Sequence, residues 1–211
     1  MNVKSCCRTT NLRTMKSTIP KICLLTALCV ASLTASSRAS ILQYHANLDG
    51  PSEAPPNGSP ATGFAEVDYD NVLHTLLVEV VWSGLTGPTT ASHIHAATAV
   101  PFTGTAGVAT TQPYFSGFPI GVTSGSYSNI LDLTLSSSYS GSYVSANGGT
   151  PASAEAALTS AIAAGKAYLN IHSQTFTGGE IRGFLVPVPE PSSLAILGLG
   201  GLLLSRKTRR S

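Results

Sequence analysis

The chain has 211 residues and a formal charge of +2, but its bases and its cysteines sit at the ends. Lys4, Arg8, Arg13, Lys16, Lys21 and Arg38 precede Ser40, and Arg206, Lys207, Arg209 and Arg210 close the chain, so two bases face all ten acids between Ser40 and Ser205, a net −8. So acidic a body repels phosphate backbones and excludes nucleic acid as a partner; Cys6, Cys7, Cys23 and Cys29 all precede Ser40, so disulfides, thiol chemistry and Cys-type zinc sites are excluded from it.

Residues 1–39 read as a secretory signal peptide. Basic residues run to Lys21, an apolar stretch follows from Ile22 to Leu33, and Ser37-Arg38-Ala39 offers a cleavage site before Ser40. The apolar run is shorter than the ~20 residues of a membrane span. Either Met1 or Met15 serves as the start.

Residues 40–187 are expected to form one β domain, and about 150 residues suffice for a core without cross-links. Phe64–Asp70 alternates with period two: Ala65, Val67 and Tyr69 on one face, Glu66, Asp68 and Asp70 on the other. Asp70-Asn71 signals a turn, and Val72–Trp82 follows as the second arm of a hairpin. Its apolar face is Val72, Leu76, Val78, Val80 and Trp82, with His74 on that face near the end. Ile41–Leu48, Ala91–His95, Gly107–Thr111, Ile130–Leu135, Ala167–His172 and Glu180–Val186 are further strand candidates, about eight strands in all. Regions 49–62, 97–106 and 112–129 are Gly/Pro/Ser-rich loops, and Ser136–Gly149 reads as a flexible, low-complexity surface loop. One helix interrupts the strands, with Thr150 as N-cap, Pro151 at the first position, Glu155 in the first turn and Gly165 just past the end. The expectation is an all-β fold: an antiparallel β-sandwich of about eight strands with one short α-helix inserted before the last two.

Residues 188–211 form a tail with three parts: Pro189-Glu190-Pro191 after Val188, an apolar run Leu194–Leu204, and the basic end. Motif, run and basic end, in that order, resemble the PEP-CTERM sorting signal of exosortase-containing Gram-negative bacteria. The resemblance implies an exosortase-type membrane peptidase as a processing partner. It also implies delivery to the periplasm, cell surface or extracellular matrix. Physically the tail is a stop-transfer device: the run enters the bilayer and the bases stay cytoplasmic. Its shortness suits transient membrane retention.

Three segments carry a second likeness. They are Leu48–Pro56 followed by Ala61-Thr62-Gly63; Gly84-Leu85 followed by Ala91-Ser92-His93-Ile94-His95; and Ala167–Ser173 followed by Gly178-Gly179-Glu180-Ile181-Arg182-Gly183. Their order (Glu-x-Pro-Pro, His-Ile-His, Asn-x-His, Gly-Glu-Ile-Arg-Gly) resembles the chordin-type CHRD domain over residues 41–186. The chain departs from that pattern at Ala96, where the family more often has glycine. In animals the domain belongs to an extracellular antagonist of growth-factor signalling; bacterial members stand alone. Nothing in this sequence marks a growth-factor surface, so that partner is not carried over.

His93 and His95, two apart on a strand, project from one face. With His172 from another strand they offer three imidazoles to Zn²⁺ or Cu²⁺, and Glu53 and Glu180 are candidate supporting carboxylates. Gly84-Leu85…His93-Ile94-His95 also resembles the first copper-ligand strand of copper–zinc superoxide dismutases, but the further His and Asp ligands and the cysteine pair of that family are missing. The competing reading is a structural polar cluster. In it the histidines bond loop backbone, Glu180 and Arg182 pair with each other, and Glu53 fixes a turn. His45 and His74 read as structural. Neither a nucleophile elbow nor a phosphate-binding loop occurs, and Glu66, Asp68 and Asp70 read as a solvated face. The functional expectation is an exported, non-catalytic surface or matrix module with envelope or matrix polysaccharide or protein as candidate partners; the alternative is a copper- or zinc-binding module, with a metal-dependent redox enzyme behind it. A carbohydrate-binding variant predicts that Tyr114, Phe115, Tyr139 and Tyr143 are exposed.

Overall fold

A computed structural model describes residues 41–189. The expected signal peptide, the apolar and basic parts of the tail, and Glu190 and Pro191 of the sorting motif lie outside the described residues. Within them the strands are β1 (Ile41–Asp49), β2 (Thr62–Asp70), β3 (Thr75–Ser83), β4 (Thr89–His95), β5 (Gly125–Asp132), β6 (Tyr168–Ser173), β7 (Ile181–Phe184) and β8 (Val186–Pro187). The helices are α1 (Gly141–Ala146) and α2 (Pro151–Ala163), with a 3-10 turn at Ser136–Ser138.

All eight strands join one antiparallel sheet in the order β4-β6-β7-β1-β2-β3-β5, with β8 also paired to β1. The sheet curls on itself into a sandwich-like half-barrel, which agrees with the all-β expectation. Strand alternation decides what fills it. Ala65 and Val67 of β2, and Leu76, Val78, Val80 and Trp82 of β3, are buried, as are Ala46 and Leu48 of β1. Ile94, Leu169, Ile171 and Ile181 extend this core beneath β4, β6 and β7.

Helix α2 closes the core with Ala154, Leu158, Ala161 and Ile162. Leu158 and Ile162 are fully buried, each contributing about 1.5–3 kcal/mol. Thr150 caps it by accepting from Ser153 N–H, and Gly165 takes the left-handed φ of +66° that ends it. Glu155 is not a first-turn dipole partner. It is buried, accepting Tyr69 O–H at 2.7 Å and His74 Nδ1–H at 2.8 Å.

Four local expectations are corrected. Val72 and His74 do not belong to β3: Asp70 Oδ1 accepts from Val72 and Leu73 N–H, and the chain turns through His74 at φ +54° before β3 begins. Ser136–Gly149 is no flexible loop. Tyr139 and Tyr143 are buried in it, and Ser140 caps α1. Gly107–Thr111 makes only isolated bridges, Val108 to His95 and Thr110 to Tyr139. Finally, Phe115, Tyr139 and Tyr143 are in the core and only Tyr114 is exposed, so the proposed aromatic sugar platform does not exist.

Candidate metal centre

Strands β4, β6 and β7 are apolar on one face and polar on the other. Register explains the grouping. His93 stands opposite Asn170, and Asn170 opposite Arg182; His95 stands opposite Tyr168, and Ala91 opposite His172. Period-two alternation therefore puts His93, His95, Tyr168, Asn170, His172 and Arg182 on one surface. Three loops cover it: the β1–β2 loop, the long connection from β4 to β5, and the β6–β7 turn.

The long β4–β5 connection hands the histidines two carbonyls and the β6–β7 turn hands them one. His93 Nδ1–H donates to Pro113 O at 3.0 Å, His95 Nδ1–H to Ala106 O at 2.8 Å, and His172 Nδ1–H to Thr177 O at 2.9 Å. Those three bonds set one tautomer in all three rings, leaving each Nε2 as a bare lone pair. One nitrogen from each ring lies within 4.8 Å of the other two. His93 Nε2 and His172 Nε2 are only 3.1 Å apart, and His95 Nε2 is buried with no partner.

Two lone pairs at that distance repel unless a positive charge lies between them. A proton is a poor candidate, because burial, and then neighbouring His95, push His93 down to about 3. Burial likewise lowers His95 and His172. A metal ion fits better. Tetrahedral Zn–N bonds of 2.0–2.1 Å set the nitrogens about 3.3 Å apart. Backbone acceptors behind each ring are the outer partners that hold metal-ligating histidines.

Beside the imidazoles lies a second polar group. Arg182 donates through Nε to Ser52 O and through Nη1 to Gly104 O at 3.1 Å. Its guanidinium covers Tyr168 at 4.6 Å, and Tyr168 stacks on His95 at 4.6 Å between centroids. Glu53 Oε2 is 3.9 Å from Arg182 Nε. Burial drives Glu53 up to about 7 against the pull of Arg182.

The structure thus brings His93, His95 and His172 together and puts Glu53 next to them. It separates Glu180 from Arg182. Glu180 is fully buried and accepts Ser59 O–H at 2.6 Å and Thr86 N–H at 2.7 Å, so it ties two loops rather than pairing with Arg182 or supporting a metal. Burial raises its pKa, but these bonds and Ser173 outweigh it and hold the group low. Sequence reasoning missed Tyr168 and the loop carbonyls. Tyr168 was detectable as the alternate neighbour of Asn170 and His172; the carbonyls carry no sequence signal.

The model of the CHRD domain matches residues 44–185, and that of the PEP-CTERM protein-sorting motif matches residues 187–210. That motif marks an exported protein of Gram-negative bacteria. No curated protein and no solved structure matches the chain.

Proposed function

This chain belongs to the CHRD domain family and ends in a sorting signal for export, and we propose that it is a non-catalytic surface or matrix module whose domain holds one Zn²⁺ or Cu²⁺ ion on His93, His95 and His172. The observation that carries this reading is the convergence of three Nε2 lone pairs, two of them 3.1 Å apart, with every Nδ1–H already committed to a carbonyl. On this reading an exosortase-type peptidase processes the tail between the β domain and the basic end. The acidic body then meets envelope or matrix polysaccharide or protein.

A second reading has its own support. The same three Nδ1–H bonds pin two loops to the sheet, the β4–β5 connection at two points, so the histidines can serve as structural ties with no ion. Metal stoichiometry separates the two. The purified full chain, stripped with chelator, is titrated with Zn²⁺ and Cu²⁺ beside a His93→Ala/His95→Ala double variant. One tight equivalent, lost in a variant that still folds, supports the metal module. No tight equivalent, or binding unchanged in the variant, refutes it and leaves the structural ties.

A further inference from the structure

Resting on the metal reading above, we propose that the ion keeps one water molecule as its remaining ligand, and that the buried acceptors of Asn170 and Glu53 receive that water's protons. Asn170 lies in the middle of the polar face, opposite His93 on one side and Arg182 on the other. Its amide lies against His95 on one side and Glu53 on the other. Asn170 Oδ1, Glu53 Oε1 and His95 Nε2 are all buried, and none has a hydrogen-bond partner. The donor beside them is the Asn170 amide N–H, which faces Glu53, so Asn170 Oδ1 is turned toward His95 Nε2, acceptor against acceptor. A cation satisfies the imidazole nitrogen. The two oxygens call for a donor, and water bound to that cation is one.

Direct ligation by Glu53 is disfavoured by its placement. Its carboxylate rests on the backbone of Gly179, where an added Cβ would lie 2.5 Å from Oε1. Its other oxygen faces Arg182 Nε at 3.9 Å, and Asn170 stands between it and His95. An amide oxygen such as Asn170 Oδ1 is a poor ligand for zinc or copper beside imidazole. Three imidazoles and a water complete four-coordination, the open arrangement of zinc sites that exchange their fourth ligand. His95 and His172 are only partly buried as residues, while the acceptor atoms themselves are sealed from bulk water, which limits the size of what fits there. The site therefore accepts a small protic ligand: water, or a molecule of similar size carrying protons for the same acceptors. A metal-free alternative exists. Turning the Asn170 amide over lets Nδ2–H donate to His95 Nε2, with a protonated Glu53 donating to Oδ1. That arrangement leaves the His93–His172 contact unexplained.

The test loads the full chain with one equivalent of Cu²⁺, exchanges it into D₂O and reads coordinated deuterons by pulsed electron paramagnetic resonance. Azide is then titrated against the loaded wild type, Asn170→Leu and Glu53→Leu. The expected result is deuteron modulation from a directly bound water in the wild type. Azide has no proton to offer, so losing an acceptor favours it over water, and both variants should bind it about tenfold more tightly. A loaded wild type with no bound water overturns this inference and leaves the metal reading intact. A bound water with unchanged azide affinity in both variants overturns the role of Asn170 and Glu53. Failure of the wild type to take up metal overturns both readings. Should a variant misfold, the wild-type spectrum and the other variant still decide.

Discussion

In the chelator-stripped chain, His93→Gln should lose much of its stability penalty as the medium is acidified. Burial holds folded His93 near 3, against an ordinary 6.5. Above 6.5 the ring is neutral in both states and contributes no pH dependence. Below it the unfolded chain takes up a proton that the folded chain refuses, so stability falls with pH until about 3. At pH 5 the ring is about 1.5 units below its unfolded pKa, and each unit is worth about 1.36 kcal/mol, so His93 costs the fold about 2 kcal/mol there. Glu53 works in the opposite sense. Its folded pKa of about 7 lies above 4.5, so its contribution is complete below 4.5 and is lost as pH rises through 7. The wild-type curve mixes both, whereas the difference between wild type and His93→Gln cancels Glu53. Urea unfolding at pH 7 and pH 5 measures it. The variant's destabilisation relative to wild type should shrink by about 2 kcal/mol at pH 5. An equal difference at both pH values would show that folded His93 accepts a proton, for example by sharing one with His172, and would refute the argument that a metal ion fits between them better than a proton.

Four further outcomes are expected. Because burial lowers all three histidines, protons compete weakly for the site, and zinc measured by competition should stay bound as pH falls below 6. Gly179→Ala places a Cβ 2.5 Å from Glu53 Oε1 at φ +128°; it should cost about 1–3 kcal/mol in urea unfolding, and less when Glu53 is also truncated to Ala. Arg182→Gln leaves buried Glu53 without its cation and should cost about 3–5 kcal/mol at pH 8, where Glu53 is ionised, but less at pH 5. Leu158→Ala opens the core under α2 and should cost about 2–5 kcal/mol by the same assay.

The C-terminal sorting tail was legible from sequence alone, because an address is read as a linear pattern of charge, apolar length and a short motif. So was the β class. Burying one face of a strand imposes period two, and Phe64–Asp70 shows it without reference to anything distant. The ends of α2 were legible for the same reason: Thr150, Pro151 and Gly165 act within one turn of themselves. His93 and His95 could be placed on one face by spacing, but not against His172, which is 79 residues away and meets His93 only through the β4–β6 register. Tertiary structure alone decided which charges meet. Glu180 and Arg182 share a face, yet each is buried against a different loop, so Arg182 faces Glu53 while Glu180 takes Ser59 and Thr86. It also decided that Tyr139 and Tyr143 are buried, in a segment whose Ser/Gly composition reads as solvent-exposed loop. A buried polar group takes whatever donor or acceptor the packing brings to it, and that partner is written in the fold, not in the neighbouring residues.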